Sequence, residues 1–145
     1  MEETAVLEDQ VKEKIMKVFA DNNAIMIATT GGEYSPWILG AYFANDGLDI
    51  YHVLEKSGKT MSNLEHNKNV AISISQNDAT KDFLQGYGTI EILSDDEDAR
   101  VRAMLTEKMP WFQTYTPVSP CVIRIKKFFV TSLEMGWFPA KTLEN

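Results

Sequence analysis

The segment that decides the fold is residues 49–64, which have the sequence DIYHVLEKSGKTMSNL. An alternating, β-prone run ends at Leu54, and a helical pattern begins at Lys59. Ser57 is a suitable N-cap for that helix, because its hydroxyl can accept a hydrogen bond from an amide of the first turn. The pattern therefore predicts a strand, a short loop and a short helix.

Lys59 lies in the first turn of the predicted helix, where the helix dipole favours anions over cations. A bound anion would remove this conflict if it lay between the free N–H groups, the hydroxyls of Ser57 and Thr60, and the Lys59 ammonium. A phosphate group suits that arrangement. The alternative is that Lys59 simply points into water, and the local sequence does not choose between the two.

Gly58-Lys59-Thr60 also resembles the end of a P-loop. That motif requires a glycine five residues before Gly58, and this chain has Val53 there. The surrounding segments alternate as short strands rather than as repeated strand–helix units. We therefore exclude a P-loop nucleotide hydrolase.

Length and composition indicate a single globular domain over residues 1–145, with 44% hydrophobic and 24% charged residues. The formal net charge of −7 argues against general nucleic-acid binding, although it allows a local basic pocket for one phosphate. Cys121 is the only cysteine, so no internal disulfide can form, and we expect a cytoplasmic location. No metal site, signal peptide or membrane helix is predicted.

Hydrophobic periodicity predicts a mainly β protein of the α+β class. Leu7, Val11, Ile15 and Phe19 share one face of a predicted helix at residues 6–22. Strands are predicted at residues 24–30, 34–44, 48–54, 69–75, 82–93 and 121–134, with helices at 59–67 and from a Ser94–Glu97 capping box to Lys108. This order predicts a six-stranded antiparallel split β-barrel with flanking helices.

Two aromatic segments lie outside the predicted strands. The loop that contains Trp111, Phe112 and Tyr115 is expected to cover a pocket or to contact a second subunit. The tail that contains Trp137 and Phe138 is expected to pack on its own barrel or on a partner.

An ordered series of segments resembles the FMN-binding split barrel, the pyridoxamine 5′-phosphate oxidase-like superfamily. The segments are residues 25–29, 45–51, 57–59, 63–64 and 67–73, and the resemblance covers roughly residues 24–93. It implies a homodimer with FMN at the interface and a small-molecule electron donor or acceptor.

The resemblance also implies a set of cofactor contacts. Ser57 and Lys59, joined by Thr60, would hold the FMN phosphate. Several further positions would contact the flavin, namely Tyr51, His52, Trp37, Ile38, Leu39 and Trp137. For Tyr51, Trp37 and Ile38, ordinary packing in the core is the alternative.

Departures from the oxidase pattern weigh against a true pyridoxamine 5′-phosphate oxidase. Pro36 and Ala41 stand where the oxidase has basic residues, and Gly58 replaces a phosphate-binding arginine. The C-terminal arginine–histidine signature is also missing. We therefore expect a flavin reductase-like, FMN-dependent oxidoreductase, without naming a catalytic residue. The alternatives are a non-catalytic flavin redox sensor or electron carrier, a binder of F420 or heme, and a barrel without a cofactor.

Overall fold

The computed structural model describes the backbone of residues 2–145 and the side chains of residues 7–145. This part of the chain forms three α-helices, one short 3-10 helix and eight strands. The helices are α1 (Glu2–Asp21), α2 (Lys59–Leu64) and α3 (Asp98–Lys108), and the 3-10 helix spans Asp95–Glu97. The strands are β1 (Ala24–Thr29), β2 (Trp37–Tyr42), β3 (Ala44–Asp46), β4 (Asp49–Glu55), β5 (Asn69–Ile74), β6 (Phe83–Ile92), β7 (Val118–Ser132) and β8 (Trp137–Glu144).

All strand pairs are antiparallel, in the order β2-β1-β5-β6-β7-β4-β3, and β8 pairs with the far half of β7. The strands β2 and β3 are the two edges, so the sheet curls into a barrel that stays split between them. The predicted class and the antiparallel split barrel are confirmed. The number of strands is eight rather than six, because residues 34–44 divide at Phe43 and the C-terminal tail forms β8.

The core follows from the period-two pattern of the strands. Ile25 and Ile27 of β1 point inward, and Ile27 lies opposite Ile72 of β5. Helix α1 covers this interior with Phe19, whose ring centroid is 5.9 Å from Phe43 and 6.2 Å from Phe128. Full burial of each such side chain contributes about 1.5–3 kcal/mol.

Two local predictions about the helices are wrong. Leu7 is 38% exposed, so the apolar face of α1 enters the core only from Val11 onward. Ser94 precedes the 3-10 helix, but its side chain makes no capping hydrogen bond. Glu97 instead accepts a hydrogen bond from Arg100 at 2.7 Å, so the predicted capping box does not form.

Lys108 joins the end of α3 to the end of α1. Its ammonium donates hydrogen bonds to the carbonyl oxygens of Phe19, Asn22 and Phe43, at 3.0, 2.6 and 3.2 Å. Because burial penalises its charged form, the pKa of Lys108 is lowered to about 8. The bond to Phe19 satisfies a carbonyl in the last turn of α1, where a helix leaves such groups without an intrahelical partner. No helix in the described part of the chain is long and apolar enough to cross a bilayer.

Candidate ligand-binding cavity

A cavity of about 510 Å³ lies beside the open edge of the barrel, between β2, the end of β4 and α2. Its volume is within the range of small-molecule sites. Its lining contains the hydroxyl residues Ser57, Thr60 and Ser62 and the ammonium-bearing Lys59. The other walls are the aromatic rings of Tyr34 and Trp37, the aliphatic side chains of Leu39 and Leu54, and the carboxylates of Glu33 and Glu55.

Asn63 holds the two sides of this cavity together. Its side-chain oxygen accepts a hydrogen bond from the Gly32 amide at 3.1 Å, and its amide donates to the Thr29 hydroxyl at 3.1 Å. A Cβ atom on Gly32 would lie only 2.5 Å from the Asn63 oxygen, so this contact requires glycine. The β1–β2 loop, which carries Tyr34, is thereby fixed against α2.

Lys59 lies over two aromatic rings at the cavity wall. Its ammonium nitrogen is 5.5 Å from the ring centroids of both Tyr34 and Trp37, and those centroids are 6.1 Å apart. This distance is within the range of a cation–π interaction. Among the described residues, no carboxylate lies within 4.0 Å of the Lys59 ammonium.

Thr60 is a lining residue of the cavity with a buried polar group. The residue is 3% exposed, and its hydroxyl oxygen has no hydrogen-bond partner in the described part of the protein. Such a group costs free energy unless a ligand or an ordered water pairs with it.

The predicted N-cap role of Ser57 is wrong. Gly58 occupies the N-cap position of α2, and no side chain caps the helix. Lys59 is the first helical residue, as the sequence predicts, and Ser57 remains exposed in the preceding loop at the cavity. The cap position therefore differs from the prediction, while Ser57, Lys59 and Thr60 do meet at one cavity.

Strand alternation separates the other predicted contacts. Trp37 and Leu39 line the cavity, whereas Ile38 faces the opposite side of β2 and is 60% exposed. Tyr51 points to the outer side of β4, where it packs in a second core with Val101 and Leu105 of α3. The structure therefore does not bring Ile38 or Tyr51 to this cavity.

His52 points into the barrel. It is fully buried, lies opposite Cys121 of β7, and neither ring nitrogen has a hydrogen-bond partner among the described residues. Burial lowers the pKa of His52 from 6.5 to about 4, because it penalises the charged imidazolium. The polar backbone of Val53 raises the pKa, but by a smaller amount. Leu54, two residues further along the same face, reaches the cavity, but His52 does not.

Trp137 also lies away from the cavity. It is 6% exposed, belongs to the main hydrophobic core and lies opposite Ser132 where β8 pairs with β7. This position matches the alternative that the tail packs on its own barrel.

The family model described as pyridoxamine 5′-phosphate oxidase matches residues 11–125, which is most of the sequence. The chain belongs to this family. None of the curated proteins matches it.

Solved structures show the same fold at low sequence identity. A heme binding protein from Mycobacterium smegmatis is 18% identical, with a TM-score of 0.73 over 92% of this chain and 57% of that protein. HutZ, a heme storage protein from Vibrio cholerae, is 16% identical, with a TM-score of 0.68 over 84% of this chain and 96% of that one. General Stress Protein 26 from Bacillus anthracis is 15% identical, with a TM-score of 0.71 over 93% and 98% of the two chains. At these sequence identities, the similarity supports a common fold and does not extend to a common function.

Sequence reasoning about this pyridoxamine 5′-phosphate oxidase family member missed Glu33 and Tyr34 as cavity residues. Both belong to the β1–β2 connection, which the contact between Gly32 and Asn63 holds at the cavity. No local pattern signals that contact, because the two segments are 31 residues apart.

The donor set of this family member suits a phosphorylated flavin better than heme. Lys59, Ser57 and Thr60 can bind a phosphate, and Trp37 offers an apolar face for a flat ring. Heme iron takes a histidine, cysteine, methionine or tyrosine ligand, and Tyr34 is the one residue of these types in the described cavity lining.

Proposed function

We propose that this chain binds FMN in the cavity beside α2 and uses it as a flavin reductase-like oxidoreductase. The observation that carries the proposal is that Thr60, whose buried hydroxyl has no partner in the described part of the protein, lines the same cavity as Lys59 and Ser57. Bound FMN supplies the hydride or electron chemistry, while the protein binds and orients it.

The phosphate is the part of FMN for which these residues are best suited. A phosphate oxygen would accept a hydrogen bond from Thr60 and relieve a penalty of about 1–3 kcal/mol for an unpaired buried group. The Lys59 ammonium would exchange its aromatic contacts for an ion pair, and the exposed Ser57 hydroxyl would add a third donor.

The charges at the cavity argue for modest FMN affinity. Lys59 is the only cation in the described lining, and two carboxylates, Glu33 and Glu55, share the cavity with it. Together with Gly58 in place of an arginine, this charge balance also disfavours a second phosphorylated ligand such as pyridoxamine 5′-phosphate. The electron donor or acceptor is therefore proposed to be a small molecule without a phosphate.

A second copy of the chain is proposed to complete the site. Trp37 and Leu39 reach the cavity from one face of β2, while Ile38 and Tyr42 expose apolar surface on the other. Tyr42 continues this surface to Trp111 of the α3–β7 loop, with ring centroids 4.9 Å apart. Exposed apolar surface of this kind marks interaction sites. The single cysteine supports a reducing, cytoplasmic location for this homodimer.

Heme binding is the second candidate, because two proteins of the same fold are heme proteins. The same cavity would also serve a flavin that carries electrons without turning over a substrate. It would equally serve F420 in place of FMN. The absorption spectrum separates these cofactors, since each has its own visible bands.

The test is a titration of FMN and of riboflavin into the protein and two lysine variants. Lys59→Ala removes the proposed phosphate ligand and should weaken FMN binding about tenfold or more, the effect of losing a charge-assisted hydrogen bond. Lys56→Ala is the matched control, because Lys56 lies three positions away and pairs with Asp95 at 2.8 Å. It should leave FMN affinity unchanged.

Riboflavin isolates the phosphate contribution, because it has the same ring system without the phosphate. Lys59→Ala should bind riboflavin about as well as the unmodified protein does. Equal loss of FMN affinity in both lysine variants would contradict the proposed phosphate site. Absence of FMN binding together with a Soret band on addition of hemin would favour the heme candidate instead.

A further inference from the structure

We infer that the Tyr34–Trp37 ring pair is a binding subsite for a flat organic cation. The Lys59 ammonium lies 5.5 Å from the centroid of each ring. Aromatic faces attract cations through the negative potential of the π system. The protein's own lysine therefore shows what kind of group this ring pair accepts.

The charge of the cavity favours the same class of ligand. Its described lining contains one lysine and the two glutamates Glu33 and Glu55, a net charge of −1. When Lys59 turns toward an anion, the ring pair and both carboxylates remain. A positively charged ligand would then gain contact with the ring faces and attraction from Glu33 and Glu55.

The ligand is an organic cation rather than a metal ion. In the part of the chain that the structure describes, no group of three or more His, Cys, Asp or Glu side chains is placed to hold a metal. The Trp37 face instead suits a flat ring, so the subsite fits an N-alkylpyridinium or a related cationic heteroaromatic ring. A dinucleotide with a pyrophosphate would be repelled by Glu33 and Glu55.

Lys59 couples this subsite to the anion site. With no anion bound, its ammonium occupies the ring pair and competes with a ligand cation. With an anion bound beside Ser57 and Thr60, the ammonium leaves the rings, so the anion and the organic cation should strengthen each other's binding. The anion meant here is a separate one such as inorganic phosphate, because the ring of bound FMN would take the Trp37 face itself. The inference therefore needs the cavity and Lys59, and it does not require FMN.

The experiment is calorimetric titration of the purified protein with three ligands of nearly equal shape and different charge. They are 1-methylnicotinamide (+1), nicotinamide (neutral) and nicotinate (−1). In chloride buffer the cation should bind about fivefold more tightly than nicotinamide, and nicotinate more weakly than either. Replacing chloride by inorganic phosphate should tighten binding of 1-methylnicotinamide.

Substitutions in the cavity should change 1-methylnicotinamide affinity in opposite directions. Lys59→Ala vacates the ring pair, so it should tighten 1-methylnicotinamide binding about fivefold and abolish the effect of phosphate. The substitutions Glu33→Gln and Trp37→Leu should weaken 1-methylnicotinamide binding. Glu65→Gln is the matched control, because Glu65 is exposed and lies outside the cavity lining.

Two results would overturn the inference. One is equal affinity for 1-methylnicotinamide and nicotinamide, and the other is weaker cation binding in Lys59→Ala. Failure of the FMN proposal is distinguishable, because Lys59→Ala changes the affinities for FMN and for the cation in opposite directions.

Discussion

His52 is the residue whose environment conflicts most with its chemistry. The imidazole is fully buried in the barrel, and both ring nitrogens are unpaired within the described residues. An unpaired buried donor or acceptor costs about 1–3 kcal/mol. Ile50 and Leu54 flank His52 on the same inward face of β4, so a leucine at position 52 would match its surroundings better. His52→Leu should therefore fold with unchanged or greater stability.

The buried imidazole should make folding stability depend on pH. The folded-state pKa of His52 is about 4, below its ordinary value of 6.5. As pH falls below about 6.5, the unfolded chain takes up a proton at this position and the folded chain does not, so stability decreases until about pH 4. The decrease attributable to His52 is at most about 3 kcal/mol.

Urea unfolding at pH 7.5 and pH 4.5 checks this expectation. Carboxylates also titrate in this window, but they are common to the protein and its variants. His52→Leu should lose less stability than the unmodified protein between the two pH values. His66→Gln is the control, because His66 is exposed. An equal pH dependence in all three proteins would show that His52 takes up its proton as readily folded as unfolded.

At the scale of elements, β4 shows what the sequence could and could not predict. The sequence predicts the position of the strand and of the loop after it, because the alternating run ends at Leu54 and the helical pattern begins at Lys59. Tyr51 and His52 could not both face one ligand, since neighbouring residues of a strand point to opposite sides. Each is instead buried in a different core. Family resemblance marks positions on the chain, and the strand's period of two decides which of them reach the cavity.

Elements with a broken pattern were harder to predict. The segment of residues 34–44 contains no charged residue, and nothing in its composition marks the break at Phe43 that separates β2 from β3. Strand β8 was missed because Pro139 and Lys141 interrupt its apolar pattern, and because its partner is the distant strand β7. Long-range pairing stabilises such a strand, and local propensity does not reveal it.

Helix α2 carries Lys59 and Thr60 of the proposed phosphate ligands, and Asn63 bonds the helix to β1 and to the β1–β2 loop. Asn63→Ala would leave the Thr29 hydroxyl and the Gly32 amide without their partners. We expect a loss of about 2 kcal/mol in unfolding free energy. FMN affinity should fall as well, because the β1–β2 loop would no longer be fixed against α2.

Val18→Ala separates positioning from general destabilisation. Val18 is a buried residue of α1 outside the cavity lining, and its truncation should cost a similar free energy of unfolding. Both variants would be unfolded in urea and titrated with FMN well below their melting temperatures. If the two variants lost FMN affinity equally, Asn63 would have only a structural role.

At the scale of the whole molecule, the cavity exists because the barrel does not close. The edge strands β2 and β3 do not pair with each other, and β2, the end of β4 and α2 are left to surround an open space. One face of β2 supplies Trp37 to this space. The opposite face leaves Ile38 and Tyr42 exposed, next to Trp111. The same edge is therefore available to a ligand and to a second copy of the chain, which would link the proposed dimerisation to the proposed cofactor binding.

Trp111→Glu tests that link. The Trp111 side chain is 55% exposed and stacks edge-to-face on Tyr42, so a carboxylate there would place a charge in the proposed interface. We expect the unmodified protein to sediment as a dimer at micromolar concentrations and Trp111→Glu to sediment as a monomer. Because the partner is proposed to complete the cofactor site, the variant should also bind FMN more weakly.

Leu133→Glu is the matched control for the interface. Leu133 is 52% exposed in the turn between β7 and β8, and neither of these strands pairs with β2. The control should remain a dimer and keep its FMN affinity, which excludes a general effect of an added charge. A monomeric Trp111→Glu variant with unchanged FMN affinity would show that one chain holds the cofactor alone. A dimeric Trp111→Glu variant would instead place the interface elsewhere on the molecule.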